Sequence, residues 1–523
     1  MREDTGSNQV LTLPEAAKYL RVSQKTLGDM ARRRKLPAKK VGREWRFNRV
    51  ILERWLTGEL DGNAVAARST GLAETDANSA AETLVQYELF PTTSGFRDTA
   101  FTENRDQTLH RWVPWIAGYS ASFVADVLKR TCGRRKAVVL DPFAGVGTTV
   151  VEAMKHGHDA VGFEINPYAA LSCQAKTRVR DYDVDVLSER IARFGAHCRR
   201  SSTSRAAPKS TRPHLFVSRV PFFSPDVERQ VLIALDFIRS EKIEWVRDLF
   251  RVAFGSVMVS VSNYSYEPSL GTREAAGKSN VETADVFGAI VRKLHEMTED
   301  IAKFQKLLAE LPSPPTATIY PESFFHATEH LAPAYVDVLI TSPPYLNNYH
   351  YIRNTRPQMF WLELVHSPKD LKSMEQESFG QFWQTVRTGP IVELQPHIKV
   401  MKEAIETLRT RNAEKGPYGG PGWANYATTY FNDCDRFCQV AQRIMKPGGT
   451  AVVVIGNNIL QGIEFPTDVW FAEIANQHGF ETVELHEVRR KRTGTSIVNS
   501  AVRVGTVEQK VRLYETAVEL RRK

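Results

Sequence analysis

Residues 137–149 read Ala137-Val-Val-Leu140-Asp141-Pro142-Phe143-Ala-Gly145-Val-Gly147-Thr148-Thr149, and the fold turns on this stretch. An apolar run ends at an acid and a proline, two glycines stand one residue apart, and Val150, Val151 and Met154 follow at helical spacing. Strand, glycine-rich turn and helix form the opening unit of a doubly wound α/β sheet, in which the turn lets a ligand approach the backbone. A second apolar run, Ala160-Val-Gly-Phe163, stops at Glu164-Ile-Asn166-Pro167, with Glu164 standing 23 positions after Asp141. Adjacent strand ends in such a sheet put this carboxylate where it can accept two ribose hydroxyls. A dinucleotide site would want a third glycine at position 150, which is valine, so the pyrophosphate reading weakens.

A third buried-strand pattern, Val336-Asp-Val-Leu-Ile340, runs into Thr341-Ser342-Pro343-Pro344-Tyr345. Two prolines fix an extended turn without N–H donors, leaving Ser342 and the Pro343 carbonyl as acceptors and Tyr345 as a flat ring. Acceptors aimed at an exocyclic amine hold its protons and direct its lone pair, and the ring can stack on an extruded base.

These two motifs resemble those of the bacterial amino-methylating (N4-cytosine/N6-adenine) site-specific DNA methyltransferases. The resemblance covers about residues 105–495. It implies a class I S-adenosylmethionine-dependent fold, Rossmann-like with a mostly parallel seven-stranded sheet, carrying helical insertions at about 176–315 and 346–440. It assigns cofactor contacts to Asp141, Pro142, Phe143, Gly145, Gly147, Thr148, Glu164 and Asn166, and catalysis to Ser342, Pro343, Pro344 and Tyr345. The segment Arg111-Trp-Val-Pro-Trp-Ile-Ala-Gly118-Tyr119-Ser120 is similar to the one that closes over the methionine end of the cofactor, which adds Tyr119 and Ser120. Lys446-Pro-Gly-Gly-Thr-Ala-Val-Val-Val-Ile-Gly456-Asn457 looks like the late strand of this fold. Pro321-Glu322-Ser323 stands where the family has Gly-Asp-Ala beside the adenine, a departure that leaves the role of Glu322 open.

The implied reaction is methyl transfer from S-adenosyl-L-methionine to the amino group of a flipped base, without a metal or a covalent intermediate. Serine ahead of Pro-Pro-Tyr leans towards cytosine N4, with adenine N6 as the alternative. A methyltransferase-like body that has lost activity and acts as a DNA-binding regulator is the rival from another class, and methylation of RNA or a protein side-chain amide is a third reading, for which Asn in place of Ser342 would be more usual. The cofactor motif precedes the catalytic motif, and nearly 200 residues separate them. The stretch 215–310 is therefore a candidate for target recognition, with a helical support layer as the competing reading; 227–238 and 245–261 read as buried helices.

The N-terminus carries its own signal. Residues 1–60 hold 14 Lys/Arg against 7 Asp/Glu, a net +7, out of +9 for all 523 residues. Leu13-Pro14-Glu-Ala-Ala opens a helix after Thr12, Ser23 can cap a second helix from Gln24 to about Arg33, and Lys39-Lys40-Val-Gly42-Arg43-Glu-Trp45-Arg46-Phe47 reads as a basic hairpin before a last helix at about 49–56. This plan is similar to the excisionase/MerR-like winged helix-turn-helix domain. The resemblance implies contacts to double-stranded DNA from Ser23, Gln24, Lys25 and Thr26 of the second helix, from Arg32, Arg33 and Arg34, and from Lys40 and Arg43 of the wing. The expected organisation is a DNA-binding domain at 1–58, a flexible linker at 59–100 and a methyltransferase domain at 101–523. A basic, Ser-rich stretch at 199–213 reads as a mobile loop.

Composition bounds the setting. With 42% hydrophobic and 25% charged residues the chain is globular, and its apolar runs fall far short of the roughly 18 residues that span a bilayer. The N-terminus lacks a secretory apolar segment, and five scattered cysteines make no disulfide scaffold. The expected location is the bacterial cytoplasm, nucleoid-associated, with no membrane or metal partner; a restriction or defence-system partner is left open. Gly271-Thr-Arg-Glu-Ala-Ala-Gly277-Lys278-Ser279 imitates a phosphate-binding loop, but it has five residues between the glycines where four are needed, and no strand is expected before it. Cys434 and Cys438 share a helix face without further ligands at zinc spacing, which favours core packing.

Overall fold

The computed structural model describes residues 10–20, 22–32, 38–41, 44–48, 52, 96, 101–115, 118–133, 135–266, 269–346, 350–491 and 513–523. They belong to two units, Met1–Pro91 and Thr92–Lys523. The last helix expected in the head and the linker expected over 59–100 fall almost wholly outside the described residues.

In the first unit, β1 (Val10–Thr12) leads into α1 (Leu13–Tyr19), followed by α2 (Gln24–Arg32), β2 (Lys39–Val41) and β3 (Glu44–Asn48). Thr12 and Glu15 form a reciprocal capping box at the start of α1, which fixes where the helix begins. The expected hairpin pairs Lys40 with Trp45. β1 adds to it as a third strand, in the order β1-β3-β2, which three residues of pattern were too few to announce. Ala16, Ala17, Leu27, Ala31, Phe47 and Leu52 are buried together as a small core.

The second unit is built on a seven-stranded sheet. After α3 (Ala121–Thr131) come β4 (Val138–Asp141), α4 (Thr148–Lys155), β5 (Asp159–Phe163) and α5 (Pro167–Thr177). The first insertion holds α6 (Val184–Thr203), α7 (Pro225–Ser240), α8 (Glu244–Val257), a hairpin of β6 (Tyr264–Tyr266) and β7 (Leu270–Thr272), and α9 (Val286–Ala309). β8 (Ala317–Tyr320) and β9 (Val336–Thr341) return to the sheet. The second insertion includes α10 (Tyr351–Trp361), α11 (Pro368–Glu377), α12 (Lys399–Thr410) and α13 (Gly420–Ile444). The chain closes with β10 (Met445–Gly456), a small hairpin of β11 (Asn458–Leu460) and β12 (Ile463–Phe465), α14 (Thr467–Gln477), β13 (Phe480–Lys491) and β14 (Leu513–Arg522).

The strand order is β13-β14-β10-β9-β4-β5-β8, with β14 alone running against the others. Alternation along the strands supplies both faces with apolar side chains. Val139, Ile340, Val452 and Val454 pack with Phe123, Val127 and Val150 of α3 and α4, while Leu140, Leu339, Val453 and Ile455 pack with Phe431, Phe437 and Phe471 of α13 and α14. The order reverses between β4 and β9, so the carboxyl ends of these neighbours diverge into opposite connections and leave a crevice.

The helices of the first insertion share one core with α4, α5 and α10, in which Phe194, Phe223 and Phe250 are buried with Met154, Tyr168 and Trp361. Three readings of the insertion change. The stretch 199–213 is held in place: 199–203 continue α6, the N–H groups of Lys209 and Ser210 donate to Asp236, and Arg229 donates to the Ser204 carbonyl. The helix read over 245–261 is α8, which ends at Val257. The phosphate-loop imitation does have a strand, β7, but that strand contains Gly271, and the N–H groups of Ala276, Gly277 and Lys278 donate to local carbonyls of Arg273 and Glu274. Amides already paired inward cannot cradle a phosphate.

Candidate active site

Asp141, the last residue of β4, is buried at the crossing of three elements. Its Oδ1 accepts from the Phe143 N–H at 3.0 Å and from the Thr341 hydroxyl at 2.6 Å, and its Oδ2 accepts from the Tyr119 hydroxyl at 2.9 Å. Burial pushes its carboxyl above the usual range against these hydrogen bonds. This residue ties the glycine turn to the end of β9, immediately before Ser342. The Tyr119 hydroxyl also meets that of Thr149.

The turn itself needs its glycines. Gly147 caps α4 with φ 91°, and a Cβ there would lie 2.8 Å from the Cys173 Sγ. Gly145 donates its N–H to Glu164 Oε2 at 2.8 Å, while Glu164 Oε1 accepts from the Asn166 N–H at 2.7 Å. Burial nevertheless pushes the Glu164 carboxyl up to about 7. Asn166 caps α5 through its Oδ1 and donates its Nδ2 to the Thr355 hydroxyl on α10 at 2.6 Å.

These ends open onto a cleft. Of the expected cofactor residues, Tyr119, Pro142, Phe143, Gly145, Thr148, Glu164, Asn166 and Glu322 line it, and Ser342 and Pro344 line the same space. Asp141 and Gly147 support it from behind. Ser120 does not reach it: the side chain is fully buried and accepts from the Phe123 N–H as the cap of α3. Pro343 and Tyr345 also lie off its wall. The Tyr345 ring is partly buried near Gly456 at the end of β10, its phenol is 3.5 Å from the Ser342 hydroxyl that donates to it, and burial pushes the phenol pKa far up. Glu322 Oε1 pairs with His330 Nε2 at 2.6 Å, and the His330 ring stacks on Tyr320.

Residues not singled out from the sequence complete the cleft: Trp115 and Phe163, inside motifs, and Tyr351, Glu377, Phe379 and Phe382, outside any motif. Trp115 and Tyr351 stack at 6.0 Å, and Phe379 meets Phe143 edge-on at 5.2 Å. Trp115 lies within the segment 111–120 that resembles the cofactor-closing one, and only the fold brings it beside Gly145. Glu377, Phe379 and Phe382 belong to an insertion with no motif to flag them.

In the head, Ser23, Gln24 and Thr26 are exposed at the start of α2, where the Thr26 N–H donates to the Ser23 hydroxyl. Arg33, Arg34 and Arg43 lie outside the described residues, as do the side chains of Lys25, Arg32 and Lys40. Among the described residues no group of three or more His, Cys, Asp or Glu could hold a metal ion, and no helix is long and apolar enough to cross a membrane. Cys434 and Cys438 are buried free thiols of α13.

A helix-turn-helix domain family matches residues 10–59, and a DNA methylase family, of the N6 and N4 amino-methylating kind, matches residues 120–174, which hold the glycine turn and Glu164. The chain is a DNA amino-methyltransferase with an N-terminal helix-turn-helix domain. The methyltransferase is similar to the Type II methyltransferase M.BsoBI of Geobacillus stearothermophilus, 21% identical over 435 residues that cover 76% of this chain and 83% of that one. It is also similar to the Type II methyltransferase M.MvaI of Kocuria varians, 22% identical with 65% and 74% covered, and to M.AvaI of Nostoc sp., 22% identical with 74% and 82% covered.

Proposed function

We propose that the methyltransferase moves a methyl group from S-adenosyl-L-methionine to the N4 amine of a flipped cytosine in double-stranded DNA. The observation that carries this reading is the shared cleft: the glycine turn with Glu164, and Ser342 with Pro344, open onto one space at the reversal of strand order. The cleft suits the cofactor. Glu164 keeps lone pairs for two ribose hydroxyls, Gly145 presents bare backbone, Phe143 and Phe379 offer apolar rings to a purine, and Glu322 can accept from an amine at its far end.

S-adenosylmethionine supplies an electrophilic methyl sulfonium when bound. The Ser342 hydroxyl and the Pro343 carbonyl hold the protons of the target amine and turn its lone pair towards the cleft. Tyr345 stacks on the base once Ser342 releases its phenol. The work of these residues is orientation, which supplies on the order of 7–11 kcal/mol in well-positioned reactions. Serine at 342 carries the preference for cytosine. Residues 1–58 act as an auxiliary DNA anchor joined by 59–100 to the catalytic body at 101–523 in a cytoplasmic, nucleoid-associated setting, and the Type II naming of the relatives supports a restriction or defence-system partner.

The test is transfer of labelled methyl from S-adenosylmethionine by the purified chain, offered duplex DNA, RNA and protein in parallel. Label in DNA nucleosides as N4-methylcytosine is expected. Label in RNA or protein alone overturns the reading, and N6-methyladenine overturns its cytosine assignment.

A further inference from the structure

We propose that Asp300, on α9 of the first insertion, is a positioning residue for the cofactor, fixing the segment that carries Trp115 and Gly118 against the glycine turn. The proposal rests on the reading of the cleft as the S-adenosylmethionine site. Asp300 is fully buried and lies nearly 190 positions from the groups it binds. Its carboxylate accepts four hydrogen bonds: from the Leu109 N–H at 2.9 Å, Arg111 Nε at 3.0 Å, Arg111 Nη2 at 2.7 Å and Trp112 Nε1 at 3.1 Å. Lys293, two turns earlier on α9, donates to the Arg111 carbonyl at 3.2 Å. One helix of the insertion therefore grips Arg111 by both its guanidinium and its backbone.

The gripped residues set the direction of the chain beyond them. Leu109 has φ 65°, a left-handed conformation that leucine rarely adopts, and its N–H points at Asp300 because of it. Three residues after Trp112 comes Trp115, whose Nε1 lies 3.3 Å from where a Gly145 Cβ would stand and whose ring stacks on Tyr351. The far end of the segment is fixed separately. Asn104 Nδ2 donates to the Tyr119 carbonyl at 3.1 Å, and Tyr119 donates to Asp141. Trp115 and Gly118, both on the cleft wall, thus hang between an anchor on the insertion and an anchor on the sheet. Loss of the first anchor frees one side of the cleft without touching residues 342–345.

The experiment measures cofactor affinity by calorimetry and the kcat and KM values of the full chain. Asp300→Asn keeps size but turns one acceptor into a donor facing N–H groups. It raises the dissociation constant and KM for S-adenosylmethionine by about tenfold or more, while kcat at saturating cofactor stays within about threefold and KM for DNA is unchanged. Trp112→Phe removes one of the four bonds and raises the cofactor dissociation constant by about two- to fivefold, and it decides the matter if Asp300→Asn does not fold. Unchanged cofactor affinity in a folded variant, or a fall in kcat with KM unmoved, overturns the role of Asp300. A wild-type chain that binds no S-adenosylmethionine overturns the cleft reading itself, an outcome seen before any variant is made.

Discussion

The N–H of Gly145 donates to the carboxylate of Glu164 at 2.8 Å, so the glycine turn after β4 and the acid after β5 are one hydrogen-bonded unit. Ribose hydroxyls that occupy the remaining lone pairs favour the ionised carboxylate, whereas burial holds its pKa at about 7. Affinity for S-adenosylmethionine is therefore steady above pH 7 and falls by about tenfold per unit as the pH drops below it. Glu164→Gln flattens that profile, and Glu164→Ala loses on the order of 1.5–3 kcal/mol of cofactor binding at pH 8. Calorimetric titrations from pH 5.5 to 8.5 read both effects. The same shift has a stability consequence: a carboxyl raised from 4.5 to about 7 favours the folded chain below pH 4.5, and that contribution is lost as the pH rises through 7.

The proposed function divides the labour, with Tyr345 serving the base and Glu164 the cofactor. Tyr345→Ala removes a stacking surface worth on the order of 1–3 kcal/mol, which lowers kcat by roughly 5- to 150-fold. The ring lies off the cofactor wall, so the affinity for S-adenosylmethionine stays within about twofold. Equal losses of kcat and cofactor affinity would show that the ring supports the cleft and not the base.

The parts of the molecule that were legible in the sequence are those whose chemistry is local. The turn from Asp141 to Thr149, the acid at Glu164 and the proline turn after Thr341 each declare themselves in a few residues, and the sheet brings all three to neighbouring strand ends. The wall formed by Phe379 and Phe382 was illegible because it depends on where an insertion folds back, which no short pattern encodes. Ser120 shows the opposite case: a polar residue beside a site is also the ordinary cap of the next helix, and the cap is what the structure shows. The stretch 199–213 has a loop composition, yet Asp236, 26 residues from Ser210, pins it through two backbone N–H groups.

Gly147 tests whether the turn has room for any side chain. Its φ of 91° and the 2.8 Å approach of Cys173 Sγ make Gly147→Ala costly, by about 1–3 kcal/mol in denaturant unfolding. Gly133 has φ 58° and nothing within 4 Å of an added Cβ, so Gly133→Ala carries the backbone cost alone, about 1–2 kcal/mol. A Gly147 variant no less stable than the Gly133 variant would mean that the contact with Cys173 yields freely.

The basic head predicts an additive effect on DNA binding. Deleting residues 1–58 leaves a folded methyltransferase with weaker DNA affinity and a shallower salt dependence, the log–log slope falling by about 0.9 for each phosphate that the head no longer neutralises. The base that is methylated stays the same, because the proposed function assigns its reading to residues 342–345. Binding isotherms between 50 and 300 mM salt, values on the order of those that resolve such slopes, make the comparison.

The central claim is that this chain methylates an exocyclic amine of DNA from a cleft shared by residues 141–166 and 342–345. Single-molecule sequencing of genomic DNA from cells that express the chain alone, beside the Tyr345→Ala variant, tests it most directly. N4-methylcytosine confined to one short sequence, present with the wild type and at a reduced fraction of sites with the variant, is the predicted result; DNA without amino-methylated bases, or with the mark at the same fraction of sites in both strains, would contradict it.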